Sequence, residues 1–225
     1  MSVESETSSQ RNWSPLNAAQ RRVFGVLVEK AKTTPDAYPL TLNSATTGCN
    51  QKSNRSPQTN YSPDNVQETL DSLRGLGAVA EVQTGGRMAK YRHYAYEWLG
   101  VDKTELAVVA ELLLRGPQSL GELRGRAARM EAIADLAALR PVIDGLIEKE
   151  LVIELSPAGR GQLVTHGLYP VDELQRVRER TPEVAQPAPA APRAASSGGD
   201  ERLKKLETEV AELRDRIAAL ENRLG

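Results

Sequence analysis

The stretch SPDNVQETLDSLRGLGAVAEVQTGGRMAKYRHYAYEW, residues 62–98, decides the fold. Ser62-Pro63 reads as a helix start. The serine hydroxyl accepts a bond from an otherwise orphaned backbone N–H, and proline is pre-set for the first helical position. Val66, Leu70 and Leu73 then recur at helical spacing, and Gly75 and Gly77 end the run. Val79-Ala80-Glu81-Val82 alternates as a strand, Thr84-Gly85-Gly86 turns, and Met88 to Trp98 is expected to return as a second strand.

The residues upstream supply two more helices. Ser14-Pro15 repeats the serine-proline device, and Leu16, Ala19, Val23, Phe24, Leu27 and Ala31 form an apolar face to about Lys32. Leu42 to Asn50 reads as a short second helix, capped at or near Asn43. Three helices and a hairpin, in that order, form a winged helix, the helix-turn-helix variant with a β wing.

The order then recurs. Asp102 with Glu105 and Ser119 with Glu122 are capping boxes for two further helices, separated by Gly116-Pro117. Residues 130–138 read as helix or loop. A third helix is expected over Leu139–Glu150 with Pro141 in its first turn, because proline deeper in a helix costs about 3 kcal/mol. Leu151–Leu155, a turn at Pro157–Arg160 and Gln162–Leu168 make a second hairpin, and Val171–Arg180 a closing helix. An offset of 73 carries Val66, Leu70, Leu73, Val79 and Val82 onto Leu139, Ile143, Leu146, Val152 and Leu155.

Toward the C-terminus, Leu203, Leu206, Val210, Leu213, Ile217, Leu220 and Leu224 fall at strict 3-4 spacing, the a/d seam of a coiled coil about three heptads long. In a parallel in-register pair, Arg202, Glu209 and Arg216 face Glu207, Arg214 and Glu221, and every pair is attractive. A homodimer is expected, with a helix folded back on its own domain as the alternative. The fold class is therefore mainly α with small antiparallel β wings: a polar, disordered N-terminus (1–13), a first winged helix (14–100), a second (101–180), a Pro/Ala-rich linker (181–200) and a coiled-coil helix (201–225).

The 225 residues carry a net charge of −1, so no bulk basicity recommends nucleic acid. A single cysteine, Cys49, excludes an intramolecular disulfide and a cysteine metal cluster. Neither a signal peptide nor a membrane span is legible, and a cytoplasmic location is expected. Phosphate loops, catalytically spaced carboxylates and metal-ligand strings are also missing. The expectation is a non-enzyme without cofactor or metal.

TTPDAYPLTLNSATTGCNQKSNRSP (33–57), GGRMAKYRHYAY (85–96) and LLLRGPQSLGELRGRAARM (112–130) resemble the bacterial YceH family, also called DUF480. The resemblance covers about residues 14–169 and implies tandem winged helices, while leaving activity open. Positions matching its motifs are Thr34, Pro35, Tyr38, Pro39, Asn43, Cys49, Asn50, Gln51, Lys52, Ser53, Asn54, Arg55 and Pro57, with Arg87, Lys90, Tyr91 and His93 in the wing. The chain departs from the family at Met130-Glu131-Ala132-Ile133-Ala134, and in a second wing, PAGRGQLVTHG (157–167), that is less basic.

Asn50, Gln51, Lys52, Ser53, Asn54 and Arg55 are dense in groups that suit phosphates and base edges. Arg87, Lys90, Arg92 and His93 add a basic wing. These are the candidate contacts to double-stranded DNA. The competing reading is a polar loop whose side chains cap backbone groups. The third helix argues against ordinary groove docking, since Asp64, Glu68 and Asp71 stand against Arg74 alone. Its counterpart sets Asp144, Glu148 and Glu150 against Arg140 and Lys149. Regulatory DNA binding is the leading expectation and a protein-interaction scaffold the second. A thiol sensor or enzyme using Cys49 is third, against a plain core role for that residue.

Overall fold

The computed structural model describes residues 12–83 and 88–181. Among these residues, eight α-helices and two small three-stranded antiparallel sheets form within one compact unit. The first repeat runs α1 (Ala18–Thr33), β1 (Leu40–Thr41), α2 (Leu42–Cys49), α3 (Pro63–Gly75), β2 (Val79–Val82), β3 (Lys90–His93) and α4 (Ala95–Leu99). The second runs α5 (Lys103–Arg115), β4 (Gln118–Ser119), α6 (Leu120–Ala127), α7 (Leu136–Glu148), β5 (Val152–Glu154) and β6 (Leu163–His166), and α8 (Val171–Arg180) follows. Each sheet places its last strand between the other two, in the orders β1-β3-β2 and β4-β6-β5. The offset of 73 extends into the return strands: Val79 pairs with His93, and Val152 with His166.

The caps at Ser62, Asp102 and Ser119 form as their sequences imply, each with its reciprocal partner. Elsewhere the structure corrects the reading. The first helix begins at Ala18, not at Ser14-Pro15, because Asn17 and Gln20 make their own capping box and the Leu16 N–H is held by the Leu168 carbonyl at 2.8 Å. Trp13, assigned to the polar N-terminus, packs against the core. The return strand stops at His93. Ala95, Trp98 and Leu99 then turn inward at helical spacing, so α4 replaces the second half of that strand.

Helix α7 starts at Leu136, capped by Asp135, and Pro141 lies inside it rather than in its first turn. Both Pro141 and Ala137, whose carbonyl loses its partner, are exposed, so the missing bond falls on the solvent face. The two-residue strands β1 and β4 are too short to show a period and were not expected. Residues 1–11, 84–87 and 182–225, which include Arg87, most of the expected linker and the whole a/d seam, lie outside the described residues.

One apolar core serves both repeats. Its axis is the pair α1 and α5, buried on all sides over residues 20–29 and 105–114. Gly25 permits their approach, since a Cβ there would lie 3.1 Å from the Leu114 side chain. Phe24 meets Trp98 edge to face at 5.3 Å. Helices buried all round have no solvent face on which to leave a charge, so the polar residues they carry must find partners inside.

Candidate functional site

The segment after α2 is built by its own side chains. Asn50 caps α2 and clamps Tyr61 through both ends of its amide, donating to the Tyr61 carbonyl and accepting from the Tyr61 N–H, each at 2.8 Å. The Thr59 hydroxyl donates to the Cys49 carbonyl at 2.9 Å. Asn54 adopts the left-handed backbone at φ 59°, and its side-chain oxygen accepts from Arg115. These bonds close residues 49–61 into an ordered loop.

Arg55 points into the protein. Its Nε donates to the Gly48 carbonyl at 2.9 Å, its two terminal nitrogens grip both oxygens of Glu29, and it also reaches the Gln51 side chain at 2.8 Å. Glu29 receives a second cation, Arg129, at 2.6 Å, and Arg129 in turn reaches Glu111 at 3.1 Å. Arg115 pairs with Glu111 at 2.9 Å. A chain of five charged groups therefore ties the loop and α1 of the first repeat to α5 and the turn after α6 in the second. Burial pushes the Glu29 carboxyl up, but its bonds and charges from Arg55 and Arg129 outweigh that and hold it below the usual range. At Glu111 burial prevails over the same kind of neighbours and the pKa is raised.

The expected DNA contacts thus separate. Lys52 and Ser53 are exposed on the loop, and Arg92 is exposed on β3 with its guanidinium 5.2 Å from the Tyr94 ring centre. Lys90 is half-buried. Arg55 and His93 are withdrawn from solvent, and Asn50, Gln51 and Asn54 are committed to internal bonds. Asn50 holds backbone groups as the capping alternative describes, whereas the Asn54 side chain bonds the Arg115 side chain and Arg55 binds the Glu29 and Gln51 side chains as well as a backbone carbonyl. His93 is 9% exposed, its Nδ1 accepts from the Ala95 N–H at 3.2 Å, and burial with the nearby Arg92 lowers its pKa to about 4.

The exposed faces of α3 and α7 carry little free positive charge. On α3, Asp64, Glu68 and Asp71 are exposed, and Arg74 is held by Asp71 at 2.9 Å and Glu81 at 3.1 Å. On α7, Asp144 and Glu148 are exposed and Arg140 donates to Gln162, while Lys149, just past its end, pairs with Glu105 at 2.7 Å. Leu136 is 53% exposed there, beside exposed Ala137, Ala138 and Pro141.

Cys49 is fully buried, and burial pushes its pKa up to about 12 despite Arg22 and Arg55. That environment favours the protonated thiol over the reactive thiolate. No three His, Cys, Asp or Glu among the described residues are placed to hold a metal, and no described helix is long and apolar enough to cross a membrane. Sequence reasoning missed Glu29, Glu111 and Arg129. The signal was available at Glu111, a lone charge inside the apolar run Leu106–Leu114.

Residues 16–160 match the family described as "Protein of unknown function, DUF480". A UPF0502 protein of Rhodopirellula baltica is 48% identical over 212 residues, covering 91% of this chain and 88% of that protein. One from Pelobacter propionicus is 44% identical over 208 residues (91% and 93%), and one from Saccharophagus degradans 38% over 221 residues (93% and 99%).

Proposed function

We propose, for a chain that belongs to the DUF480 (UPF0502) family of proteins of unknown function, that its two repeats are winged helices that act as a protein-interaction module. The element order and the shared strand order of the two sheets support the winged-helix assignment. The observation that carries the function is the state of α3 and α7, the helices that would enter a groove in this fold. Arg74 is engaged by Asp71 and Glu81, Arg140 by Gln162 and Lys149, just past α7, by Glu105, while the other exposed side chains include the carboxylates Asp64 and Glu68 on α3 and Asp144 and Glu148 on α7, with Leu136 at the start of α7. A duplex presents one negative charge per roughly 1.7 Å and repels such a face. A partner protein with a basic segment fits both faces, with an added apolar contact at the Leu136 end of α7.

A second reading keeps DNA. Lys52, Lys90 and Arg92 have no carboxylate partner among the described residues, and winged helices also meet the phosphate backbone through the wing. Recovery of bound protein and bound nucleic acid from the native host, in parallel, separates the two. The interaction reading expects a protein partner whose recovery falls when Glu68 and Asp71 are changed to lysine, with nucleic acid at background. If instead salt-sensitive DNA binding is found and neutralising Lys52, Lys90 and Arg92 flattens its log–log salt slope by roughly 0.9 per lost contact, DNA takes first place.

A further inference from the structure

Two adjacent arginines on α1 are treated differently by the fold. Arg21 donates to the Leu16 carbonyl, is paired with both oxygens of Glu173, and lies 4.5 Å from the Tyr169 ring centre. Arg22 is 3% exposed, yet among the described residues its side chain has one bond, from Nη2 to the Pro57 carbonyl at 2.6 Å. Its Nη1 has no partner among the described residues, and no described carboxylate forms an ion pair with it. Burial, then the like charge of Arg55, pushes its pKa down. A guanidinium does not give up its proton in a protein. A buried, unpaired cation therefore stays costly until an anion reaches it.

Arg22 stands in the wall of a cleft of about 600 Å³, formed where α1, the 56–61 loop, α5, β6 and α8 converge. Arg115 and Arg180 line the same cleft, and the one carboxylate among the described residues that line it, Glu173, is taken by Arg21. His166 lines it too. This histidine is 1% exposed and stacks on Tyr169 with ring centres 3.8 Å apart, and its Nδ1 has no partner among the described residues. The contrast with its counterpart is informative, because His93 at the same register has that nitrogen satisfied by Ala95. Tyr61, Leu113 and Val177 give the cleft an apolar side.

We propose that this cleft binds a small organic oxyanion, a carboxylate or phosphate head on an apolar body, with the head on Arg22 and His166 as a second polar contact. The site is independent of the docking faces on α3 and α7. Recognition of this kind uses a few placed polar groups in a mostly apolar concavity, and Arg suits planar or tetrahedral oxyanions by its forked donors.

Calorimetric titration and thermal unfolding of the full chain at constant ionic strength test it, with benzoate, phenyl phosphate, inorganic phosphate and chloride as probes. The expected result is saturable binding of benzoate or phenyl phosphate with a raised Tm, the better of the two identifying the head. Arg22→Met should weaken it at least tenfold. Arg180→Gln at the exposed rim should weaken it several-fold, a readout that survives if Arg22→Met does not fold. Absence of saturable binding in the full chain overturns the proposal, as does unchanged affinity in the variants. Inorganic phosphate binding as well as phenyl phosphate overturns the organic-ligand assignment.

Discussion

The Arg55 side chain is fully buried, and Glu29, with its own side chain 3% exposed, takes both of its terminal nitrogens. Removing the carboxylate strands that cation, and broken buried pairs cost about 3–5 kcal/mol. Glu29→Gln should therefore lower the stability of the full chain by that order at pH 7, measured by urea unfolding. Its pKa is depressed, so its stabilisation is present above the ordinary carboxylate range and is lost as pH falls through the lower folded value; the gap between wild type and variant should close in that direction. Glu111→Gln should cost less. Its raised pKa marks a charge already penalised by burial, Arg129 keeps Glu29, and Arg115 is partly open to solvent. Equal losses would show that the two acids are not distinguished by their surroundings. The density of hydrogen-bonding groups over residues 50–55 is legible in the sequence, but their destinations are not. Arg55 finds its acid 26 residues away and Asn54 its arginine 61 residues away, distances that local spacing does not encode.

Among the secondary-structure elements, three glycines grade how tightly neighbours are set. A Cβ on Gly167, just after β6, would lie 1.9 Å from the Glu150 carbonyl oxygen, a backbone atom that cannot move alone. On Gly48 in α2 it would lie 2.6 Å from a methyl of Val26, whose branched side chain has few rotamers. On Gly125 in α6 it would meet nothing within 4 Å. Chemical denaturation of the three alanine variants should rank them in that order. Gly167→Ala should be the most destabilising, Gly48→Ala should cost about 1–3 kcal/mol, and Gly125→Ala should gain about 0.5–1 kcal/mol from helix propensity. A stable Gly167→Ala protein would show that the turn between α7 and β5 yields freely. Elements with a cap or several turns of apolar spacing, such as α3, α5 and α6, are legible from sequence. Those that escape it are short or disguised. Helix α4 hides in the aromatic run Tyr91–Trp98, whose residue types favour strands, and β1 and β4 gain their identity only from the return strands they pair with.

At the scale of the whole molecule, the repeated order of elements is legible, whereas the fusion of the repeats is not. It depends on α1 and α5 being buried on every side, and on the ion pairs that join them. Because the described residues have a continuous core of their own, they should fold without the C-terminal seam. The seam residues Leu203, Leu206, Val210, Leu213, Ile217, Leu220 and Leu224 lie outside the described residues, and their spacing makes its own prediction. A helix of three heptads is marginal alone in water and gains stability by pairing its apolar stripe. The matched charges at Arg202, Glu209 and Arg216 against Glu207, Arg214 and Glu221 add only a few tenths of a kcal/mol each, enough to select register and orientation rather than to supply affinity. Deleting residues 200–225 should convert a dimer into a monomer in sedimentation while the unfolding transition of the remaining body stays cooperative. Leu213→Asp, which puts a charge at a central seam position, should do the same. A truncated chain that remains dimeric would move the dimer contact onto the folded body, where the apolar face of α7 becomes the first surface to examine. Pairing would also place two copies of each docking face on one particle, so the same deletion should weaken capture of any multivalent partner by far more than it changes single-site affinity.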